Sequence, residues 1–166
     1  MGNGCVIISG SGDAYAVKVS GRATFECAGP MRSLAGELDQ TSFQRVDIDL
    51  GECQGMDSTF MGILAMIALR AKKISACITI YNANDLNKNL LFGLGLKKMF
   101  QFADGEVAVG ADAKAADNTV SKIENATTVL EAHKTLMDVD QENVKKFENV
   151  VAFVQKDLDK LNDTQS

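Results

Sequence analysis

The stretch RVDIDLGECQGMDSTFMGILAMIALRAKKISACITIY, residues 45–81, decides the fold. From Arg45 to Leu50, the apolar Val46, Ile48 and Leu50 alternate with Asp47 and Asp49. A period of two predicts a strand with one wet face or with its acids near an end. Gly51 to Met56 reads as a loop, after which Asp57 or Ser58 opens a helix that runs to about Arg70. Gly62, Ala65, Met66, Ala68 and Leu69 make much of that helix small or apolar, as expected of a helix packed close against a sheet. Ala76 to Tyr81 is a second buried strand. Strand, helix and strand in this order predict a parallel right-handed crossover, and with it an α/β fold: a mixed sheet with helices packed against it.

Upstream, Cys5 to Ser9 and the alternating Tyr15, Val17 and Val19 flank the turn Ser11-Gly12-Asp13 and predict a hairpin. Cys27, Met31, Leu34, Ala35 and Leu38 recur at helical spacing, and Pro30 is tolerable only in a first turn, so a helix starts near Ala28. Downstream, Asn84 is a natural N-cap for a short helix that buries Leu86, Leu90 and Leu91 and ends at Gly93. Another strand begins within Met99 to Phe102, and Gly105 to Asn118 reads as an edge strand followed by a link.

The C-terminal quarter predicts a helical hairpin. Ser121-Lys122-Ile123-Glu124 is a capping box, and Ile123, Ala126, Leu130 and Met137, flanked by Val129 and Leu136, form an apolar stripe behind it. Asp140 caps a second helix in which Val144, Phe147, Val151, Val154, Leu158 and Leu161 follow at steps of three and four. The chain thus divides into a domain over 1–117, expected to fold by itself, and a helical extension over 118–166. If the two helices pack on each other, Val129, Leu136, Val150 and Phe153 still need cover, which predicts self-association, such as a homodimer, or a held partner.

With 166 residues, the chain has the length of one domain plus an appendage. Its 17 basic against 22 acidic side chains leave a net charge of −5, which argues against nucleic acid as a partner. No basic leader and no apolar run of membrane length is present, so neither a secretory signal nor a membrane span is expected. Cys5, Cys27, Cys53 and Cys77 are too widely spaced for half of a zinc site and read as buried free thiols in a reducing cytoplasm. His133 is the only histidine, expected to be structural or solvent-facing, which leaves little room for an imidazole metal site or a histidine-based triad. Gly10-Ser11-Gly12 and Gly93-Leu94-Gly95 lack the residues of a nucleotide cradle. No catalytic residue, metal or cofactor is therefore expected, and the protein reads as a non-enzyme.

One constellation speaks about function. Asp57 and Ser58 stand at the first turn of a helix, just beyond the carboxyl end of a sheet strand. Short polar side chains there satisfy orphan helix amides, and an N-cap alone explains them. The same place suits a phosphoryl group, which on Ser58 would meet the positive helix end and bring nearly two negative charges beside Asp57. Such a site switches the preference of a surface without catalysing anything.

The run from Val46 to Leu50, then Met56-Asp57-Ser58-Thr59-Phe60-Met61-Gly62, resembles the STAS domain family of bacterial anti-anti-sigma factors (anti-sigma factor antagonists) and sulfate transporter tails. The likeness covers about residues 4–105. It implies a STAS-like mixed sheet, with the C-terminal hairpin as an addition to the minimal domain. It also implies that Ser58 is the phosphoacceptor and that Asp57, Thr59, Met56, Phe60 and Gly62 form the motif and partner-binding surface. In that family a serine-kinase anti-sigma factor binds the unphosphorylated form, and a protein phosphatase restores it. The function implied is a cytoplasmic partner switch in transcription regulation and signal transduction. Phe60 stands where the family often has glycine, and a bulky ring there is expected to reshape the partner surface. The alternative is a scaffold subunit of the same fold, without a phosphorylation cycle, in an assembly such as a lipid-transport complex.

Overall fold

The computed structural model describes residues 4–110, 114–115 and 121–165. The expected domain boundary at 117–118 lies outside the described residues. Strands β1 (Cys5–Ser11) and β2 (Ala14–Ala23) form the expected antiparallel hairpin, with Gly12 at φ +67° in its turn, a backbone that a side chain rarely adopts. Helix α1 (Gly29–Asp39) follows a 3-10 turn at Phe25–Cys27, with Pro30 in its first turn. Then come β3 (Arg45–Met56), α2 (Ser58–Lys73), β4 (Cys77–Tyr81), α3 (Asp85–Gly93), β5 (Gln101–Ala103) and β6 (Lys114–Ala115). Two long helices, α4 (Lys122–Val139) and α5 (Glu142–Gln165), close the chain.

The strand order is β5-β4-β3-β2-β1-β6, with β2 to β5 parallel and β1 antiparallel to both its neighbours. Register places Val17 beside Ile48 and Ile48 beside Ile80, all fully buried. Ala16, Lys18, Asp47, Asp49, Thr79 and Tyr81, one position out of phase, are half-buried or exposed. One face of the sheet is therefore core, and the other is wet, as the alternation at 45–50 predicts. Arg70 ties α2 to α1 by donating to the carbonyls of Leu38 (2.9 Å) and Thr41 (3.0 Å).

The structure corrects the sequence-based picture in several places. Gly51 to Met56 is strand, not loop, because β2 runs on to Ala23 and keeps pairing with β3 as far as Ala23 opposite Met56. Two register irregularities on the way break the apolar alternation by which a strand is recognised. In α3, Leu86 is 54% exposed, whereas Asn87 and Leu91 point inward; Asn87 Nδ2 donates to the carbonyl of Cys53 (3.0 Å). The inner face is centred on a polar residue that a hydrophobic pattern cannot register. Cys77 is exposed and Cys5 half-buried, so only Cys27 and Cys53 are the expected buried thiols.

The hairpin is present, but α4 is turned about its axis relative to expectation. Its buried face runs through Ala132, His133 and Leu136 with Leu130 at the edge, and Ile123, Ala126 and Met137 are only half-buried. The reason is that α4 has two neighbours, α2 on one side and α5 on the other. Ser121 caps α4 as expected, accepting from the Glu124 amide (3.1 Å), and Asp140 accepts from the Glu142 amide (3.0 Å) at the start of α5. Leu136, expected to need cover from outside, is fully buried within the chain, while Phe153 is 73% exposed. Sheet, α1 with α2, and the hairpin thus form three layers, with α2 packed against both the sheet and α4.

Candidate functional site

Asp57 is built into the junction between the end of β2 and the start of α2. Its backbone amide donates to the carbonyl of Ala23 (2.9 Å). Its carboxylate accepts from the Phe60 amide (2.9 Å) on one oxygen and from the Phe25 amide (2.8 Å) on the other. The first bond is the helix cap that the residue type predicts, and a negative charge there is favoured by the helix dipole. The second fastens the 3-10 turn before α1 to the same point, which no local pattern foretells.

Ser58 follows as the first residue of α2 and is half-buried. Its hydroxyl lies 2.7 Å from His133 Nε2. His133 Nδ1 lies 2.7 Å from the carbonyl of Val129, which can only accept, so Nδ1 carries a proton and in the neutral ring Nε2 accepts from the Ser58 hydroxyl. The ring is 3% exposed and rests edge-on against Phe147, with centroids 4.9 Å apart. One turn further along α2, a Cβ added at Gly62 would lie 2.5 Å from the Ala132 carbonyl oxygen and 2.7 Å from the Ala132 Cβ. Glycine is required there because the α4 backbone closes directly on α2. His133 is therefore structural, not solvent-facing, and it bonds the one hydroxyl singled out by sequence.

Of the remaining motif residues, Met56, Thr59 and Phe60 are buried, Phe60 completely. The Phe60 ring is core and faces no solvent, so it does not shape an outer surface as its bulk had suggested. The rim around Ser58 is made by Asp57, the exposed Phe25, and α4 lying over Gly62. The strand acids stand at a different place: Asp49 accepts from the Gly51 amide (2.8 Å) and Asn82 Nδ2 (3.1 Å), and Asp47 pairs with Arg45 (3.5 Å). Burial pushes the Cys27 thiol above its ordinary value, with the charge of Asp57 adding to the effect, and burial raises Cys53 likewise. Neither thiol is a ready thiolate. A groove of about 550 Å³ opens at the other end of α2, between Leu69, Lys72, Cys77, Lys98, Phe100 and Asp138, and contains none of the motif residues. Among the described residues, no group of three His, Cys, Asp or Glu is placed to hold a metal.

His133 was legible only as the sole histidine. It stands 75 residues from Ser58, and nothing in either local sequence pairs them. The Arg32–Glu131 ion pair, which joins α1 to α4, is equally invisible.

No family model matches the chain, and no curated protein matches it. Among solved structures, the fold is similar to that of the anti-sigma factor antagonist SpoIIAA in its unphosphorylated form, with a TM-score of 0.54 and 11% identity, covering 61% of this chain and 88% of that one. It is similar also to an anti-sigma factor antagonist from Mycobacterium paratuberculosis, with a TM-score of 0.52 and 19% identity, covering 61% and 86%. At such identities the likeness is one of fold. The chain has a STAS-like fold of the kind seen in anti-sigma factor antagonists, and roughly two fifths of it has no counterpart in either match. Among the described residues, no helix is long and apolar enough to cross a membrane.

Proposed function

We propose that this protein is a non-enzymatic partner switch of the anti-sigma factor antagonist type, acting in the cytoplasm, with Ser58 as its phosphoacceptor. A serine-kinase anti-sigma factor binds the unphosphorylated form and a protein phosphatase restores it. The observation that carries the proposal is the position of Ser58: a hydroxyl at the first turn of α2, beside a fixed Asp57, just past the sheet strand that leads into the helix. The helix end favours an added phosphate, and the phosphate alters the charge that a partner meets. The half-buried Asp57 and the exposed Phe25 form the rim, and the buried Thr59 and Met56 lie beneath it.

A nucleophilic Ser-His pair is the enzymatic rival, and the geometry disfavours it. His133 is backed by a carbonyl and not a carboxylate, and it is sealed against Phe147, where a substrate has no approach. The Ser58–His133 bond does favour a second reading, in which the hydroxyl anchors the hairpin of a scaffold subunit and is never modified. Intact mass of the protein taken from cells separates the two. A population heavier by one phosphoryl group, absent in Ser58→Ala and retained in Thr59→Ala, supports the switch. An unmodified chain under all growth conditions, or label on Thr59, defeats it.

A further inference from the structure

The C-terminal hairpin lies on the hydroxyl that the switch modifies. A kinase must bring the γ-phosphorus of a nucleoside triphosphate in line with Ser58 Oγ. The new bond forms from that oxygen to phosphorus, the bond from phosphorus to the bridging oxygen breaks, the nucleoside diphosphate leaves, and the hydroxyl proton passes to a base in the kinase. In the closed chain the hydroxyl proton points at His133 Nε2, 2.7 Å away, and the imidazole occupies that approach. The imidazole has no slack to turn aside, since Val129 holds its other nitrogen and Phe147 its edge. While α4 keeps its seat on the backbone of α2 at Gly62, the ring therefore stays over Ser58.

We infer that the α4–α5 hairpin is a built-in cover of Ser58, which must lift for the hydroxyl to be phosphorylated and which a phosphoryl group then holds open. The inference rests on Ser58 being the acceptor. Lifting as a unit is supported by how the hairpin is held. Away from the Ser58–His133 contact, the polar attachments to the domain among the described residues include the Arg32–Glu131 ion pair, the Asn143 Nδ2 bond to the Leu94 carbonyl (2.9 Å) and the Lys146 bond to the Gly93 carbonyl (2.8 Å). These polar contacts exchange for water on opening at a small net cost each. Of the α2 positions at helical steps from Ser58, Gly62 and Ala65 carry little side chain, while on the hairpin Ala132 and Leu136 belong to the same apolar core as the sheet, with Val139 and Phe147 packed against it. Ala132 and Leu136 on α4 set the main cost.

Phosphate opposes closing in two ways. The ester oxygen has no proton for Nε2, and the dianion stands where α4 must seat, beside the carboxylate of Asp57. The cover is thus a competitor of the kinase before the reaction and an absent lid after it.

The test installs phosphoserine at position 58 of the full chain during translation and follows amide hydrogen exchange by mass spectrometry. Native-state exchange resolves sub-global opening from global unfolding. The expected result is that α4 and α5 amides exchange at least tenfold faster in the phosphorylated chain, while those of β2 and β3 stay as they are. Gly62→Ala and His133→Ala, in unmodified chains, are expected to move the same amides in the same direction. Equal protection of α4 with and without phosphate overturns the inference. So does a loss of protection that spreads to hairpin and sheet together in these chains, since the hairpin is then part of one cooperative core. The phosphate is supplied by translation and not by a kinase, so an unmodified Ser58 in cells sinks the switch and leaves this result standing. A closed hairpin over phosphorylated Ser58 sinks the cover alone.

Discussion

The two helices of the hairpin invert the relation between pattern and burial. In α5, apolar residues recur at steps of three and four for almost the whole length, yet the helix lies mainly against α4 and only Leu158 among the apolar residues of that stripe is buried. In α4 the stripe is ragged and includes a histidine, yet Ala132 and Leu136 are completely buried. A helix with one neighbour needs one apolar face, and the face is plain in the sequence. A helix between two layers spends its circumference on both, with small residues where backbones approach and a polar residue where a partner group waits. Strength of periodicity therefore reports one-sidedness and not depth.

Perturbing equivalent positions in the two helices tests that contrast. The largest effect is expected from Leu136→Ala, at about 2–5 kcal/mol, because the residue is fully enclosed and the site between layers cannot collapse around the loss. Phe153→Ala, a larger truncation on α5, should stay within about 0.5 kcal/mol, since the ring is mostly in water. Urea midpoints of the two variants measure this. Equal losses would mean that something outside the chain covers Phe153, as a dimer does.

Next comes Gly62→Ala. In an ordinary helix interior the change stabilises by about 0.8–1 kcal/mol. Here the methyl meets the Ala132 backbone, and a loss of about 1–3 kcal/mol is expected from overpacking. A gain in the thermal midpoint would show that α4 sits on α2 without constraint.

A smaller effect attaches to the Ser58–His133 bond. In a double-mutant cycle of Ser58→Ala and His133→Ala, the coupling energy is expected at about 0.5–1.5 kcal/mol, the net worth of one hydrogen bond. Full additivity would put the hydroxyl outside the interface.

The smallest effect is in the thiols. Cys27 and Cys53 have folded values raised by burial, so below about pH 8.5 both are neutral whether the chain is folded or not, and their contribution is fully present. As pH rises past that point the unfolded chain ionises first and stability falls, until the folded thiols ionise too. The stability difference between the native chain and a Cys27→Ala, Cys53→Ala variant should narrow or reverse between pH 8 and 10, and a difference independent of pH contradicts it. Alkylation should reach the exposed Cys77 well before either buried thiol.

By itself the sequence determined what short-range physics can determine. The alternation of Val46, Ile48 and Leu50 marked a one-sided strand, Asp57, Asn84 and Ser121 marked helix starts, and Pro30 placed the first turn of α1, because each of these features is settled within a few residues. The same reach placed Ser58 at the first turn of a helix. Only the tertiary structure decided that β3 continues to Met56, that Asn87 and not Leu86 turns inward, and that His133 meets Ser58. Each of those depends on a partner 32 or more residues away in the chain, whose position is set by the summed burial of whole layers and leaves no mark on the residues beside it.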